Sequence, residues 1–256
     1  VVPPSFTEDD DLRRQLAVYY AMIENLDWNM GRLREAIDSS PAFAGNTATI
    51  YFSDHGDFMG THNAINRKSH PQEVSVRIPS IFHWPSVIPS QNVRSELFSL
   101  VDLLPTTLGL IGAEIPEYTQ GQDFSPALRN EPFTGPEAVL LEMHGNPRWN
   151  LDFLDWRGLV TEQWKYAYYE TGHEYLFDLK SDPHELNNFV GSRHEMRDTM
   201  RQRLLDLLAE TREPFFDIII TDGARPDETV LNASEVETAG LSPAWSSLIR
   251  RHPDLK

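Results

Sequence analysis

The sequence predicts an α/β protein: part of a doubly wound mixed sheet, followed by a small C-terminal antiparallel sheet with a covering helix. Three observations predict it. Leu12, Leu16, Tyr19, Ile23, Leu26, Met30, Leu33 and Ile37 recur at steps of four and three, then give way to a short apolar, β-branched run at 48–52. That run stops at adjacent Asp54 and His55 and a glycine, where open α/β sheets collect ligands beyond their strands' carboxyl ends. From residue 157 the texture changes to alternating segments, followed by Met196, Met200, Leu204, Leu207 and Leu208 at helical spacing. The expected division is a main α/β domain over 1–150, a small α+β subdomain over 151–215, and a tail over 216–256.

Each element has a local reason. Thr7 with Asp10 has the spacing of a capping box, with Asp in place of Glu, and the acidic run 8–11 suits a helix N-terminus. The helix is expected to lie on a sheet and to end near Ser39-Ser40-Pro41. A short loop around Gly45 leads into the strand at 48–52. A second strand is expected at 80–84, bounded by Pro79 and Pro85, and a helix at 97–111 with Asp102 and Pro105 early in it. Residues 112–136 read as loop, and 138–143 as another buried strand. Residues 157–169 alternate around a Glu162-Gln163 turn, and 174–179 form a third strand of the same small sheet. The Met and Leu stripe at 194–210 reads as a helix covering that sheet. In the tail, Ile218-Ile219-Ile220 is a short apolar run before polar, Pro-punctuated sequence, and Asn232-Ala233-Ser234 is a formal glycosylation sequon of little weight.

Composition narrows the function classes. In 256 residues, an apolar content of 40% supplies a core, while a net charge of −17 argues against nucleic acid or an anionic membrane as partner. The chain has no cysteine, so disulfides, thiolate metal sites and a thiol nucleophile are excluded. No run of 18 apolar residues is present. The start, Val1-Val2-Pro3-Pro4-Ser5, has neither an initiator methionine nor an apolar leader, so the chain is expected to begin partway through something longer.

The chemistry-bearing residues gather just past the first strand. Asp54 offers a hard oxygen and His55 an imidazole nitrogen, a pair that could hold a divalent cation. His62, Arg67, Lys68 and His70 follow within one loop. Hydrolysis of a phosphate or sulfate ester needs such a set: a metal to polarise an ester oxygen, a lysine to neutralise the transferring group, and a histidine to protonate the leaving alkoxide. Singly, each has a plain structural explanation: a polar turn for Asp54-His55, a satisfied loop histidine for His62, a solvated surface lysine for Lys68. His144, Trp149 and His173 are candidates for shaping a pocket, with packing or surface roles as the alternative.

The block Ser53-Asp-His-Gly-Asp-x-Met-Gly-x-His62, then Arg67-Lys68-x-x-Pro71-x-Glu73-x-Ser75-x-Arg77-Ile78-Pro79, resembles the second conserved block of the sulfatases of the alkaline phosphatase superfamily. Tyr19 to Asp27 with Gly31-Arg32-Leu33 resembles the helix before that block, and Val101 to Leu108 with Gln120-Gly121 the stretch after it. Trp156-Arg157, Lys165-Tyr166, Glu174 to Leu179 and Asp182-Pro-His-Glu-Leu-Asn187-Asn188 resemble the family's C-terminal subdomain. The resemblance runs over about residues 7 to 210 and implies an alkaline phosphatase-like fold. It implies that Asp54 and His55 are metal ligands, for calcium first and manganese as the alternative, since the Asp-His version is shared with phosphonate monoester hydrolases. It implies that Lys68 binds the sulfate group and acts in catalysis, and that His62, Arg67 and His70 lie near substrate, His62 beside the leaving group. One residue more than the family pattern separates His62 from Lys68, but Lys68 keeps its spacing to Arg77 and is preferred to Arg67.

The family's formylglycine nucleophile arises from Cys or Ser in a C/S-x-P-x-R motif, and this chain has neither that motif nor the accompanying pair of Asp ligands. Ser125-Pro126-Ala-Leu-Arg129 has the wrong spacing. The resemblance therefore implies the C-terminal portion of a sulfatase whose N-terminal half is a required partner. The expected substrate is a small or oligosaccharide sulfate ester, with oligomerisation possible and a periplasmic or secreted setting favoured. The alternatives are a phosphodiesterase or phosphonate monoester hydrolase, or a half domain that acts only by association.

Overall fold

The computed structural model describes residues 10–63, 68–89, 93–145 and 154–222. The chain is α/β and divides into two compact units, Val1–Lys68 with Glu73–Glu137, and Ser69–Gln72 with Ala138–Lys256.

In the first unit, helix α1 (Asp10–Asp38) precedes strand β1 (Thr49–Phe52), which pairs antiparallel with β2 (Ser80–His83) from Thr49↔His83 to Phe52↔Ser80. Between them lie a 3₁₀ turn (Thr61–Asn63) and the single-turn helix α2 (Glu73–Val76). The stretch expected as one helix at 97–111 is a 3₁₀ turn (Leu100–Asp102) running into α3 (Leu103–Ile111), and α4 (Ser125–Leu128) follows. The core is a chain of rings, Phe82, Phe98, Phe124 and Phe133, with successive centroids 5.6, 5.1 and 4.7 Å apart. Buried Asp102 ties the unit together by accepting the backbone N–H of Ser99 and of Gln122, each at 2.8 Å. Burial pushes its carboxyl above the ordinary carboxylate range, and those two bonds pull it back.

The apolar stripe of α1 is not laid on a sheet as expected. Leu12 is buried, but Val18, Met22, Leu26 and Leu33 are all more than half exposed. An amphipathic helix is stabilised chiefly by a second layer over its apolar face. Among the described residues, that layer is not formed.

The second unit is a four-stranded antiparallel sheet in the order β3 (Val139–Met143), β4 (Trp156–Val160), β5 (Trp164–Tyr169), β6 (Glu174–Asp178). Strand β3, which the sequence reading assigned to the main domain, is an edge strand here, paired from Val139↔Val160 to Met143↔Trp156. Helices α5 (His194–Thr211) and α6 (Phe215–Asp222) cover one face. Leu159, Tyr166, Tyr168 and Leu176 meet Met200, Leu204, Leu208, Phe215 and Ile219 there. The period-2 alternation of β5 puts Tyr166 and Tyr168 under α5 and leaves Lys165 and Ala167 for the other face. The run Ile218 to Ile220, read as part of a tail, lies in α6, and Ile219 is buried in the core. The sequon at 232–234 lies outside the described residues.

Candidate active site

Asp54 and His55 follow β1 directly, in a loop whose backbone turns on local hydrogen bonds. Asp54 Oδ1 accepts the His55 N–H at 2.9 Å, and Ser53 Oγ donates to the His55 carbonyl at 2.7 Å. The His55 N–H is the main reason the Asp54 carboxyl sits below its ordinary range, against an opposing effect of burial. His55 Nδ1 lies 2.9 Å from the Gly56 carbonyl. A carbonyl only accepts, so this bond places the ring proton on Nδ1 and leaves the Nε2 lone pair available. Nε2 is 3.5 Å from Asp54 Oδ2. Two exposed donor atoms, one carboxylate oxygen and one imidazole nitrogen, thus stand side by side at a spacing that two ligands of one divalent ion can have.

The loop is seated on α2. The Gly56 N–H donates to the Ser75 carbonyl at 2.7 Å, and a Cβ on Gly56 would stand 2.0 Å from the Val74 carbonyl oxygen. Only glycine permits that approach. The loop then passes through Met59, Gly60 and His62, all at positive φ. His62 is half-buried with its ring 5.8 Å from that of buried Phe58. Lys68 is exposed, and its carbonyl accepts the Ser75 hydroxyl at 2.5 Å. The structure therefore brings Gly56, next in sequence to His55, and the Lys68 backbone to one buried serine, which the sequence reading quoted within a motif but gave no role.

His70 is placed in the second unit. Its Nδ1 lies 3.1 Å from the Tyr169 hydroxyl, and the preceding Ser69 carbonyl accepts the Trp156 indole N–H at 2.7 Å. Arg67 and Trp149 lie outside the described residues. His173 packs edge-on to Tyr169 and Tyr175, and burial holds its imidazole below the ordinary value.

A second group of possible ligands, Glu142, His144 and Glu213, lies in the second unit. Its centre is taken by the buried guanidinium of Arg157, 2.6 Å from Glu213 Oε1, 3.1 Å from His144 Nδ1 and 3.5 Å from Glu142 Oε1. Arg157 also lies over the Phe215 ring at 4.8 Å. A fixed cation already answers those carboxylates, so the donor set at Asp54-His55 suits a metal better.

Residues 60–213 match the family model described as N-sulphoglucosamine sulphohydrolase, C-terminal, and residues 3–113 match the sulfatase model. An arylsulfatase of Clostridium perfringens is 31% identical over 212 residues, spanning 80% of this chain and 42% of its own length. An N-acetylglucosamine-6-O-sulfatase of Bacteroides thetaiotaomicron is 28% identical over 204 residues, spanning 78% of this chain and 36% of its own. Among solved structures, the yidJ protein of Bacteroides fragilis, assigned to the sulfatases, superposes with a TM-score of 0.74 at 29% identity, over 85% of this chain and 48% of that one. A protein solved in complex with its substrate D-glucosamine-2-N,6-O-disulfate gives a TM-score of 0.68 at 28% identity, over 78% and 40% of the two chains. The phosphonate monoester hydrolase of Agrobacterium radiobacter shares the fold, with a TM-score of 0.69 at 24% identity. The chain spans well under half the length of the curated relatives it matches. The chain belongs to the sulfatase family, of which it carries the C-terminal part.

Proposed function

We propose that this chain contributes the Asp54-His55-Lys68 side of a sulfatase active site that cleaves a sulfate ester, on an amino-sugar or another sulfated carbohydrate. The carrying observation is the shared anchorage of the Asp54-His55 loop and of the Lys68 backbone on Ser75. Asp54 and His55 would hold a divalent cation, calcium or manganese, which when bound supplies Lewis-acid polarisation of the sulfate oxygens. Lys68 neutralises charge on the transferring group, and His62 stands in the same loop as the proton donor to the leaving alkoxide. The amino-sugar substrate is supported by what the relatives are named for and by the glucosamine disulfate bound in one of them.

The nucleophile, a formylglycine by family resemblance, belongs to sequence that this chain does not contain. The exposed stripe of α1, including Leu26 and Leu33, fits an apolar complement from that same missing part of the family. The test is hydrolysis of an aryl sulfate and of an aryl phosphodiester by the full-length protein. Sulfate hydrolysis should dominate, and Lys68→Ala should lower it by about 100-fold while bound metal is retained. Asp54→Ala should remove metal and activity together. A preference for the phosphodiester would favour the phosphonate hydrolase relationship instead, and full activity of Asp54→Ala would remove the metal assignment.

A further inference from the structure

We propose that Ser75 is a positioning residue, locking Lys68 and the Asp54-His55 loop onto the same turn of helix. This rests on the reading of Lys68 given above and deepens it. Ser75 is 2% exposed, and its two polar groups bond to opposite stretches of the loop. The hydroxyl donates to the Lys68 carbonyl at 2.5 Å, and the carbonyl accepts the Gly56 N–H at 2.7 Å. Helix α2 is itself braced, since the Arg77 N–H donates to the Glu73 carbonyl at 2.9 Å and the two side chains are paired at 3.8 Å. Lys68 is exposed, so packing does little to fix where it begins. The hydroxyl of Ser75 supplies that reference point, and the glycine contact gives Asp54 and His55 the same one.

Removing the hydroxyl separates the two halves of the arrangement. In Ser75→Ala the main-chain bond to Gly56 remains and only the Lys68 anchor is lost. Lysyl endopeptidase digestion of the full-length protein, with cut sites assigned by mass, reads this directly. The lysines of this chain are Lys68, Lys165, Lys180 and Lys256, of which Lys165 is buried and Lys180 is exposed enough to serve as an internal reference. Ser75→Ala should be cut after Lys68 about fivefold faster relative to Lys180, the effect of one lost hydrogen bond on local opening. Ser75→Thr, which keeps a hydroxyl, should be cut at the parent rate. In the full-length protein Ser75→Ala should lower kcat about tenfold or more with bound metal unchanged, because small misplacements of a catalytic group are costly.

Equal cleavage after Lys68 in the parent and Ser75→Ala overturns the proposal. So does faster cleavage with an unchanged kcat, which would leave Ser75 a loop anchor without consequence for the chemistry. If Lys68→Ala itself leaves turnover intact, the assignment of Lys68 falls and the positioning role falls with it. The cleavage ratio then shows that the anchor was real and the chemistry misassigned.

Discussion

Replacing Glu185 by Gln should destabilise the second unit by about 3 kcal/mol, the low end of the cost of breaking a buried ion pair, since the amide can still accept a hydrogen bond. Lys165 Nζ lies 2.8 Å from Glu185 Oε1, and the two side chains are 0% and 1% exposed. At that distance the gross attraction is about 6 kcal/mol for an effective dielectric near 20. Desolvation of the two ions offsets most of it, so the pair adds little net stability. Losing one partner is different, because the ion pair is then broken while the remaining charge stays out of water. Urea unfolding followed by circular dichroism measures the change through the midpoint, at an unaltered slope. Lys165→Met should cost a similar amount. The double variant Lys165→Met/Glu185→Leu should come back to within about 1.5 kcal/mol of the parent, because apolar groups of matching volume tolerate the site. A Glu185→Gln change of less than about 1 kcal/mol, or single costs that add in the double variant, would refute the reasoning.

Gly56→Ala should cost about 1–3 kcal/mol, because its Cβ would stand 2.0 Å from the Val74 carbonyl oxygen and the backbone must give way; a thermal midpoint equal to the parent's would contradict this. The depressed imidazole of His173 contributes stability that is present above its unfolded value of 6.5 and is lost as pH falls below it, where the unfolded chain takes up a proton that the folded one resists. The thermal midpoint should therefore fall as pH drops below about 6.5, and less so in His173→Phe; parallel curves would exclude the effect. Leu26→Lys should change the stability of this chain by no more than about 0.5 kcal/mol, since Leu26 is exposed. The same change in the full-length protein should destabilise it if the α1 stripe is covered there, and a neutral result would argue that the stripe stays open.

The strand at 49–52, the following Asp54-His55 loop and the helix α5 were legible because each rests on local periodicity or on a strand-end position. The motif Asp182-Pro-His-Glu185-Leu-Asn187 was legible only as a pattern. Its meaning came from the fold: Asp182 Oδ2 accepts the Asn187 backbone N–H at 2.8 Å, and Glu185 meets a lysine on β5. Lys165 shows the limit in the other direction. Nothing in the alternation of β5 distinguishes a buried lysine from a solvated one until the residue opposite it is known.

By itself, the sequence determined the α/β class and the order of most elements, since these depend on neighbours three or four residues away. Only the tertiary structure decided that β3 joins the second sheet, that Ile219 is core, that His70 bonds Tyr169, and that Ser75 anchors both Gly56 and Lys68. The physical reason is the same in each case. Strand pairing, burial and side-chain hydrogen bonds between distant residues are fixed by which surfaces exclude water together, and a one-dimensional pattern records the donor without naming its acceptor.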